Sequence, residues 1–106
     1  MQTTWELVES GDEIAIVVHG DVDIATEKPL IADVERHITT TTERVRFDLS
    51  DVQFIDSAGV RLLLRLRQRH GDRVCVSAAS PPVERIFSIA GIDDLFIAGT
   101  SAPEPE

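Results

Sequence analysis

The hydrophobic period of this sequence changes repeatedly between two residues and about 3.6 residues. Residues 44–49 alternate strictly between polar and apolar side chains, which predicts a strand with one buried face. Apolar side chains in residues 58–70 recur at helical spacing, and Arg61, Arg65 and Arg69 form an opposite stripe that should face water. Alternating strands and helices build right-handed crossovers between parallel strands, so the pattern predicts an α/β fold.

The same analysis assigns the rest of the chain to short strands and helices in the order ββαβαβαβ. The first two strands flank the turn Ser10-Gly11-Asp12, which predicts an antiparallel hairpin. Thr26 and Ser80 are the predicted N-caps of the first and third helices. We expect a mixed sheet of about five strands, with helices mainly on one face. The predicted strands are 3–9, 13–19, 44–49, 74–78 and 95–98, and the predicted helices are 27–38, 58–70 and 81–90.

The length of 106 residues predicts a single domain. We place this domain at residues 1–98. Residues 99–106 are small, polar and proline-containing, which predicts a disordered C-terminal tail.

The formal net charge of −9 argues against partners that are themselves polyanions. Nucleic acid and anionic membrane surfaces are therefore not expected partners. Cys75 is the single cysteine, so an intramolecular disulfide is excluded. The sequence shows neither a secretory signal nor an apolar run long enough to span a bilayer, and we expect a cytoplasmic protein.

The segment Phe54-Ile55-Asp56-Ser57-Ala58-Gly59-Val60 joins the third predicted strand to the second predicted helix. Its simplest interpretation is structural: Ser57 is the N-cap and satisfies a free backbone N–H group. A functional interpretation is also open, because a serine at a helix N-terminus is a favourable place to carry a phosphate. Gly59 would let another backbone or a partner come close.

The segment 20–26 contains Asp21 and Asp23 between the second strand and the first helix. Two carboxylates are too few ligands for a calcium loop, so a metal is not expected. The simplest interpretation is a polar turn that ends in the Thr26 cap. In a parallel arrangement this segment and residues 55–59 leave the same edge of the sheet, so they could form one continuous surface.

An enzyme is the third interpretation. His19, His37 and His70 lack metal-ligand spacing, and Ser57 lies outside any Gly-x-Ser-x-Gly motif. The sequence contains no phosphate-binding glycine motif either. We therefore expect no catalytic residue and no cofactor, although the sequence leaves open a Ser57–His–Asp triad.

Three segments in order resemble the STAS domain family. Residues 20–26, Gly-Asp-Val-Asp-Ile-Ala-Thr, are similar to the family segment Gly-Glu-Leu-Asp-x-x-Thr. Residues 47–59 are similar to Leu-Asp-Leu-Ser-x-Val-x-Phe-Ile-Asp-Ser-Ser-Gly, and residues 83–96 resemble the third-helix segment. The resemblance covers about residues 3–98, and it includes two departures: Ala58 replaces a commoner serine, and Asp21-Val22 replaces Glu-Leu.

The resemblance implies an anti-sigma factor antagonist, the bacterial branch formed by a lone STAS domain that regulates transcription under stress. In that branch the partner anti-sigma factor is a serine kinase that supplies ATP and phosphorylates the serine matching Ser57. The unmodified antagonist binds the anti-sigma factor and frees the sigma factor; the phosphorylated form lets go until a phosphatase restores it. The implied partner-binding residues are Asp21, Asp23, Thr26, Asp56, Ser57, Ala58 and Gly59.

A second hypothesis is a STAS domain without a switch. Some members of the family act as scaffolds or adaptors in multiprotein regulatory or lipid-transport complexes. Phosphate on Ser57 after incubation with a cognate kinase would favour the switch. Its absence with every partner that binds would favour the scaffold.

Overall fold

The computed structural model describes residues 3–92. Within this range the chain forms a four-stranded sheet and three α-helices, and a short 3-10 turn at Gly71–Arg73 leads into the last strand. The elements are β1 (Thr4–Ser10), β2 (Glu13–Val22), α1 (Ile24–His37), β3 (Arg44–Ile55), α2 (Ser57–His70), β4 (Val74–Ala79) and α3 (Pro81–Ala90).

The strand order in the sheet is β1-β2-β3-β4. β1 runs antiparallel to β2, while β2, β3 and β4 are parallel to one another. The predicted mixed α/β architecture is therefore confirmed, with four strands in the described range. The predicted fifth strand (95–98), the predicted tail (99–106) and the domain boundary between them lie outside the described residues.

One hydrophobic core lies between the sheet and the helices. Inward-facing residues of β2 and β3, such as Ile16 and Phe47, have no exposed surface. They share one cluster with Leu62 of α2, Val34 of α1 and Phe87 of α3. Each such side chain contributes about 1.5–3 kcal/mol through burial, so the core fixes how the helices sit on the sheet.

The opposite face of β2 and β3 is half-exposed and mixes apolar residues such as Val17 with polar ones. Arg46 of β3 donates to the Glu13 carboxylate of β2. His19 Nδ1 lies 2.6 Å from Asp51 Oδ2, again joining β2 to β3. Within the described residues, cross-strand polar pairs therefore link β2 to β3 on this face.

Both central strands extend further than the alternation predicted. β2 continues through Gly20, whose φ of 91° lies in the left-handed region, to Val22. β3 continues through the consecutive exposed residues Ser50 and Asp51. The β2–β3 register shifts at both places, and such irregularities break the period of two that marks a strand in sequence.

The predicted caps need three corrections. α1 begins at Ile24, three residues earlier than predicted, and its N-cap is Asp23; Thr26 is the third helical residue. Asp56, and not Ser57, is the N-cap of α2. Ser80 occupies the N-cap position of α3, but its hydroxyl donates to the Val52 carbonyl and leaves the helix N-terminus uncapped by a side chain.

No helix within residues 3–92 has both the length and the apolar composition needed to cross a bilayer.

Candidate functional site

The carboxyl ends of β2 and β3 bring two helix N-termini together. Val22 and Ile55 are register partners in the parallel pair, and each strand is followed by one linking residue and then a helix. The backbone N–H of Asp56 donates to the Val22 carbonyl over 3.2 Å. The two predicted segments therefore lie in contact at one edge of the sheet, as expected from the sequence.

Asp56 fixes the start of α2. Its Oδ1 accepts a hydrogen bond from the Gly59 backbone N–H at 3.0 Å. Its carbonyl accepts from the Val60 N–H at 3.0 Å, the first bond of the helix. The cap is thus complete without the neighbouring serine, because one carboxylate satisfies the N–H of the third helical residue.

Ser57 is the first residue of α2 and is exposed. Within residues 3–92 its hydroxyl makes no hydrogen bond to another residue. Helix N-terminal N–H groups and the helix dipole surround it with a partial positive charge that favours anions. The structure therefore presents an accessible hydroxyl where an attached anion is electrostatically favoured.

A capping box organises the start of α1. Asp23 Oδ1 accepts from the Ala25 N–H at 3.1 Å, and Thr26 contributes the reciprocal contact to the Asp23 backbone. Thr3 of the N-terminal segment donates to the Asp21 carbonyl and lies 2.9 Å from the Thr26 hydroxyl. This second connection is consequently tied to the chain segment that leads into β1.

The seven predicted site residues differ in how far they reach the surface. Ser57 is exposed, and the three aspartates are half-exposed. Thr26, Ala58 and Gly59 are buried. Their predicted part in partner binding stays a prediction, and only Ser57 and the aspartates could offer side chains directly to a partner.

Gly59 allows close packing of α2 against the ends of the two strands. A Cβ at this position would lie 2.5 Å from Ile55 Cγ1 and 2.9 Å from Val22 Cγ1. Neither distance is compatible with undisturbed packing. The close approach predicted for Gly59 therefore exists, and it is an approach to the chain's own strands.

A buried carboxylate, which the sequence analysis missed, links the two helices. Glu27 of α1 has a side chain that is only 7% exposed, and it pairs with Arg61 and Arg65 of α2. The hydrogen bond from Arg61 is the main reason that the pKa of Glu27 lies below its ordinary value. The arginine stripe predicted to face water is thus partly engaged in bonds to α1, as is Arg69, which pairs with Glu35.

Exposed apolar side chains, also missed from the sequence, surround the site. Ile24, Phe54 and Ile89 are 70%, 52% and 78% exposed. Within the described residues, a groove of about 350 Å³ separates the start of α2 from α3. Exposed apolar surface of this kind is typical of protein interaction sites. The groove is lined by Ile55, Asp56, Ser57, Val60, Ile86, Ile89 and Ala90.

The histidines are engaged elsewhere. His19 pairs with Asp51, and this hydrogen bond is the main reason that the pKa of His19 is raised. His37 Nδ1 bonds the Asp33 carbonyl at 2.8 Å, and His70 lies 3.2 Å from Glu35. None of these contacts brings a histidine to Ser57. In residues 3–92 no group of three or more His, Cys, Asp and Glu side chains could hold a metal ion.

The fold and the site together define a known class of domain. A family model described as "Mlab, STAS domain" matches residues 5–98. The chain therefore belongs to the STAS domain family, and the resemblance noted in its sequence is confirmed.

Two known proteins are similar to this chain over most of its length. A "STAS-domain containing protein" of Pseudomonas aeruginosa is 27% identical over 89 residues, which cover 81% of this chain and 87% of the relative. The "Putative anti-sigma factor antagonist BtrV" of Bordetella bronchiseptica is 31% identical over 88 residues, covering 79% and 75% of the two chains. The chain thus resembles anti-sigma factor antagonists at low identity.

Solved structures give the same fold. An anti-sigma factor antagonist from Mycobacterium paratuberculosis matches with a TM-score of 0.77 and 23% identity, covering 90% of this chain and 83% of that one. Unphosphorylated SpoIIAA, also an anti-sigma factor antagonist, matches with a TM-score of 0.74 and 21% identity, covering 89% and 86%. The fold is therefore SpoIIAA-like.

Proposed function

We propose that this STAS domain is an anti-sigma factor antagonist that is switched by phosphorylation of Ser57. In its unmodified form it binds an anti-sigma factor and so releases a sigma factor. The observation that carries the proposal is the exposed Ser57 hydroxyl, without a hydrogen bond inside residues 3–92, at the first position of α2, where Asp56 already caps the helix. The likeness to named anti-sigma factor antagonists supports it.

The chemical step is a phosphoryl transfer for which the partner supplies the nucleotide. The Ser57 oxygen attacks the γ-phosphorus of ATP bound to the partner kinase, and a new O–P bond forms. The bond between the γ-phosphorus and the β–γ bridging oxygen breaks, ADP leaves, and the hydroxyl proton passes to a base on the kinase. The antagonist needs no cofactor of its own, because it contributes only the acceptor oxygen.

The surface around Ser57 suits a contact that phosphate would disrupt. Apolar side chains such as Ile24 and Phe54 offer area to bury against a partner. A phosphate adds a charge of about −1.5 to −2 in the middle of this surface, beside Asp23 and Asp56. Burying such a charge without a counter-ion on the partner is costly, so the complex should dissociate.

A capture and modification experiment tests this function. Ser57→Ala and Ser57→Glu domains serve as matched baits in extract from the native host, and each captured protein is then incubated with ATP and the native domain. We expect the alanine form to retain a kinase that the glutamate form does not. We also expect mass spectrometry to find phosphate on Ser57.

Two nearby serines provide internal controls. Ser88 is exposed on α3, away from a helix start, and Ser80 is buried with its hydroxyl bonded to Val52. Phosphate on Ser88 or a threonine, with Ser57 unmodified, would contradict the proposal. Equal binding by the alanine and glutamate forms, with no transfer from any bound protein, would instead support the scaffold hypothesis, in which the domain holds a complex together without a switch.

A further inference from the structure

Arg61 lies one helical turn after Ser57 on the same side of α2. Side chains four residues apart in a helix are neighbours, with Cβ atoms about 5–6 Å apart. The Arg61 guanidinium holds both oxygens of Glu27, at 3.1 Å from Nη2 and 3.2 Å from Nε. It is therefore a bidentate cation within one turn of the proposed phosphate acceptor.

The contact of Arg61 with Glu27 can be given up without leaving a buried charge unpaired. Arg65 Nη1 lies 3.1 Å from Glu27 Oε2 and forms a second ion pair with the same carboxylate. The Glu27 side chain is 7% exposed, so the loss of every partner would be unfavourable. With Arg65 in place, one of the two arginines is free to exchange.

Arg61 is also exposed enough to exchange. Its side chain is 46% exposed, so it can change rotamer without moving the core. Asp56, the residue next to Ser57, already attracts the guanidinium electrostatically. A phosphate on Ser57 would carry about twice the charge of the Glu27 carboxylate and would offer three oxygens to a planar fork of N–H donors.

We propose that phosphorylation of Ser57 draws the Arg61 guanidinium away from Glu27 and onto the phosphate, leaving Arg65 as the partner of Glu27. This inference rests on the proposed function, because it needs a phosphate at Ser57. Arg61 acts here as a positioning residue that holds the phosphate against α2. The exchange also changes the contacts of α1, because Arg61 releases Glu27. Glu27 directly follows Thr26 of the capping box.

The test installs phosphoserine at position 57 during translation, so that no kinase is required. The second pKa of the phosphate, ordinarily about 6, is measured by ³¹P NMR titration. Arg61→Gln is the test variant. Arg69→Gln is the matched control, because Arg69 also pairs with a carboxylate of α1, Glu35, but lies at the far end of α2 from Ser57 and takes no part in the exchange.

We expect the phosphate pKa to be higher in Arg61→Gln by about half a pH unit, because an exposed cation at this distance favours the dianion by a corresponding amount. Arg69→Gln should leave the phosphate pKa at the native value, and Arg61→Lys should restore part of the difference. Equal phosphate pKa values in the native and Arg61→Gln proteins would overturn the proposal. An equal increase in both glutamine variants would overturn it as well.

A second measurement needs no substitution and therefore does not depend on the stability of the variants. The side-chain Nε–H signal of Arg61 is followed in ¹⁵N-arginine-labelled protein with and without phosphate on Ser57. We expect this signal to shift and to titrate together with the phosphate, while the Arg69 signal stays constant. An Arg61 signal that ignores the phosphate would refute the exchange even if a kinase for Ser57 were found.

Discussion

Asp56 and Ser57 are adjacent, but they have separate roles at the start of α2. Asp56 supplies the capping carboxylate, whereas the Ser57 hydroxyl makes no hydrogen bond within the described chain. The division matters because a residue that caps a helix cannot change its chemistry without a loss of stability. A residue in the first helical position can do so.

This division predicts effects of different size on the free energy of unfolding for two alanine variants. Asp56→Ala should lower the free energy of unfolding by about 0.5–2 kcal/mol, because the Gly59 N–H loses its acceptor. Ser57→Ala should change it by less than about 0.5 kcal/mol. Urea unfolding of both variants measures this, with Asp21→Ala as a half-exposed aspartate control. A larger loss for Ser57→Ala than for Asp56→Ala would contradict the assigned cap.

The sequence analysis located this junction, but it could not tell which of the two residues is the helix cap. Asp and Ser are both good N-caps, and which one takes the cap depends on where β3 ends. β3 ends at Ile55 because it pairs with Val22 at the end of β2, and that register is a long-range property. Local spacing alone began the helix at residue 58 and therefore made Ser57 the N-cap, one residue too late.

At the scale of elements, the half-exposed face of the sheet ties three strands together through His19. Its Nδ1 pairs with Asp51 of β3, and its Nε2 lies 3.8 Å from Glu6 of β1. The hydrogen bond to Asp51 is the main cause that raises the pKa of His19, and the charges of Asp51, Glu6 and Asp48 add to it. The protonated ring is thus the form that the folded sheet prefers.

The raised pKa fixes the sign of a pH effect. The stabilisation by the protonated His19 ring should be fully present below about pH 6.5, the pKa of the unfolded chain. It should be lost as the pH rises through the higher pKa of the folded protein. We expect His19→Gln to be less stable than the native protein on the acid side of this range. The two should converge well above it. Urea midpoints measured across the range test this, and Asp51→Asn should remove the same dependence.

An unchanged difference between the native protein and His19→Gln at every pH would show that the protonated ring contributes nothing to stability. The measurement is informative because His19 is half-exposed, so the glutamine should be accepted without repacking the core.

The element order could be predicted because each period of the hydrophobic pattern is local, as in residues 44–49 of β3. The full length of the strands could not be predicted, because the register shift at Gly20 exists only in the pairing of β2 with β3. The Glu27–Arg61 pair joins residues 34 positions apart, and only the packing of α1 on α2 brings them together. The groove beside Ser57 likewise exists only once α2 and α3 are in place.

At the scale of the whole molecule, some of the acidic residues behind the net charge of −9 join one element to another. Three acidic residues of α1 are bound to neighbouring elements: Glu27 and Glu35 to α2, and Asp33 to the Trp5 indole of β1. The largest causes that lower the pKa values of these groups are the hydrogen bonds from Arg61 to Glu27, from Arg69 to Glu35 and from Trp5 to Asp33. α1 is therefore attached by carboxylates on two sides.

Acid should consequently loosen the attachment of α1. For a carboxyl group with a lowered folded pKa, the stabilisation is present above its unfolded value and is lost as the pH falls through the folded value. The relevant unfolded values are 3.8 for Asp33 and 4.5 for the two glutamates. We expect the free energy of unfolding to fall steeply as the pH drops below these values. The fall should be less steep in Glu35→Gln, because one of the three carboxyl groups is absent.

Urea midpoints over the acid range provide the measurement. Glu84→Gln is the control, since Glu84 is exposed on α3 and forms no ion pair within residues 3–92. The interpretation fails if Glu35→Gln and Glu84→Gln follow the same acid profile as the native protein.

The position of Ser57 inside an already formed helix determines what a modifying enzyme can recognise. A protein kinase that reads a linear motif needs its target in an extended, flexible segment, whereas Ser57 is the first residue of a capped α2. The groove beside it is lined partly by residues from a distant stretch of the chain, including Ile86 and Ile89. An enzyme acting on Ser57 must therefore recognise a folded epitope. A short peptide with the same sequence would not serve as its substrate. Specificity of this kind can diverge through residues remote from the acceptor while the acceptor motif itself stays unchanged.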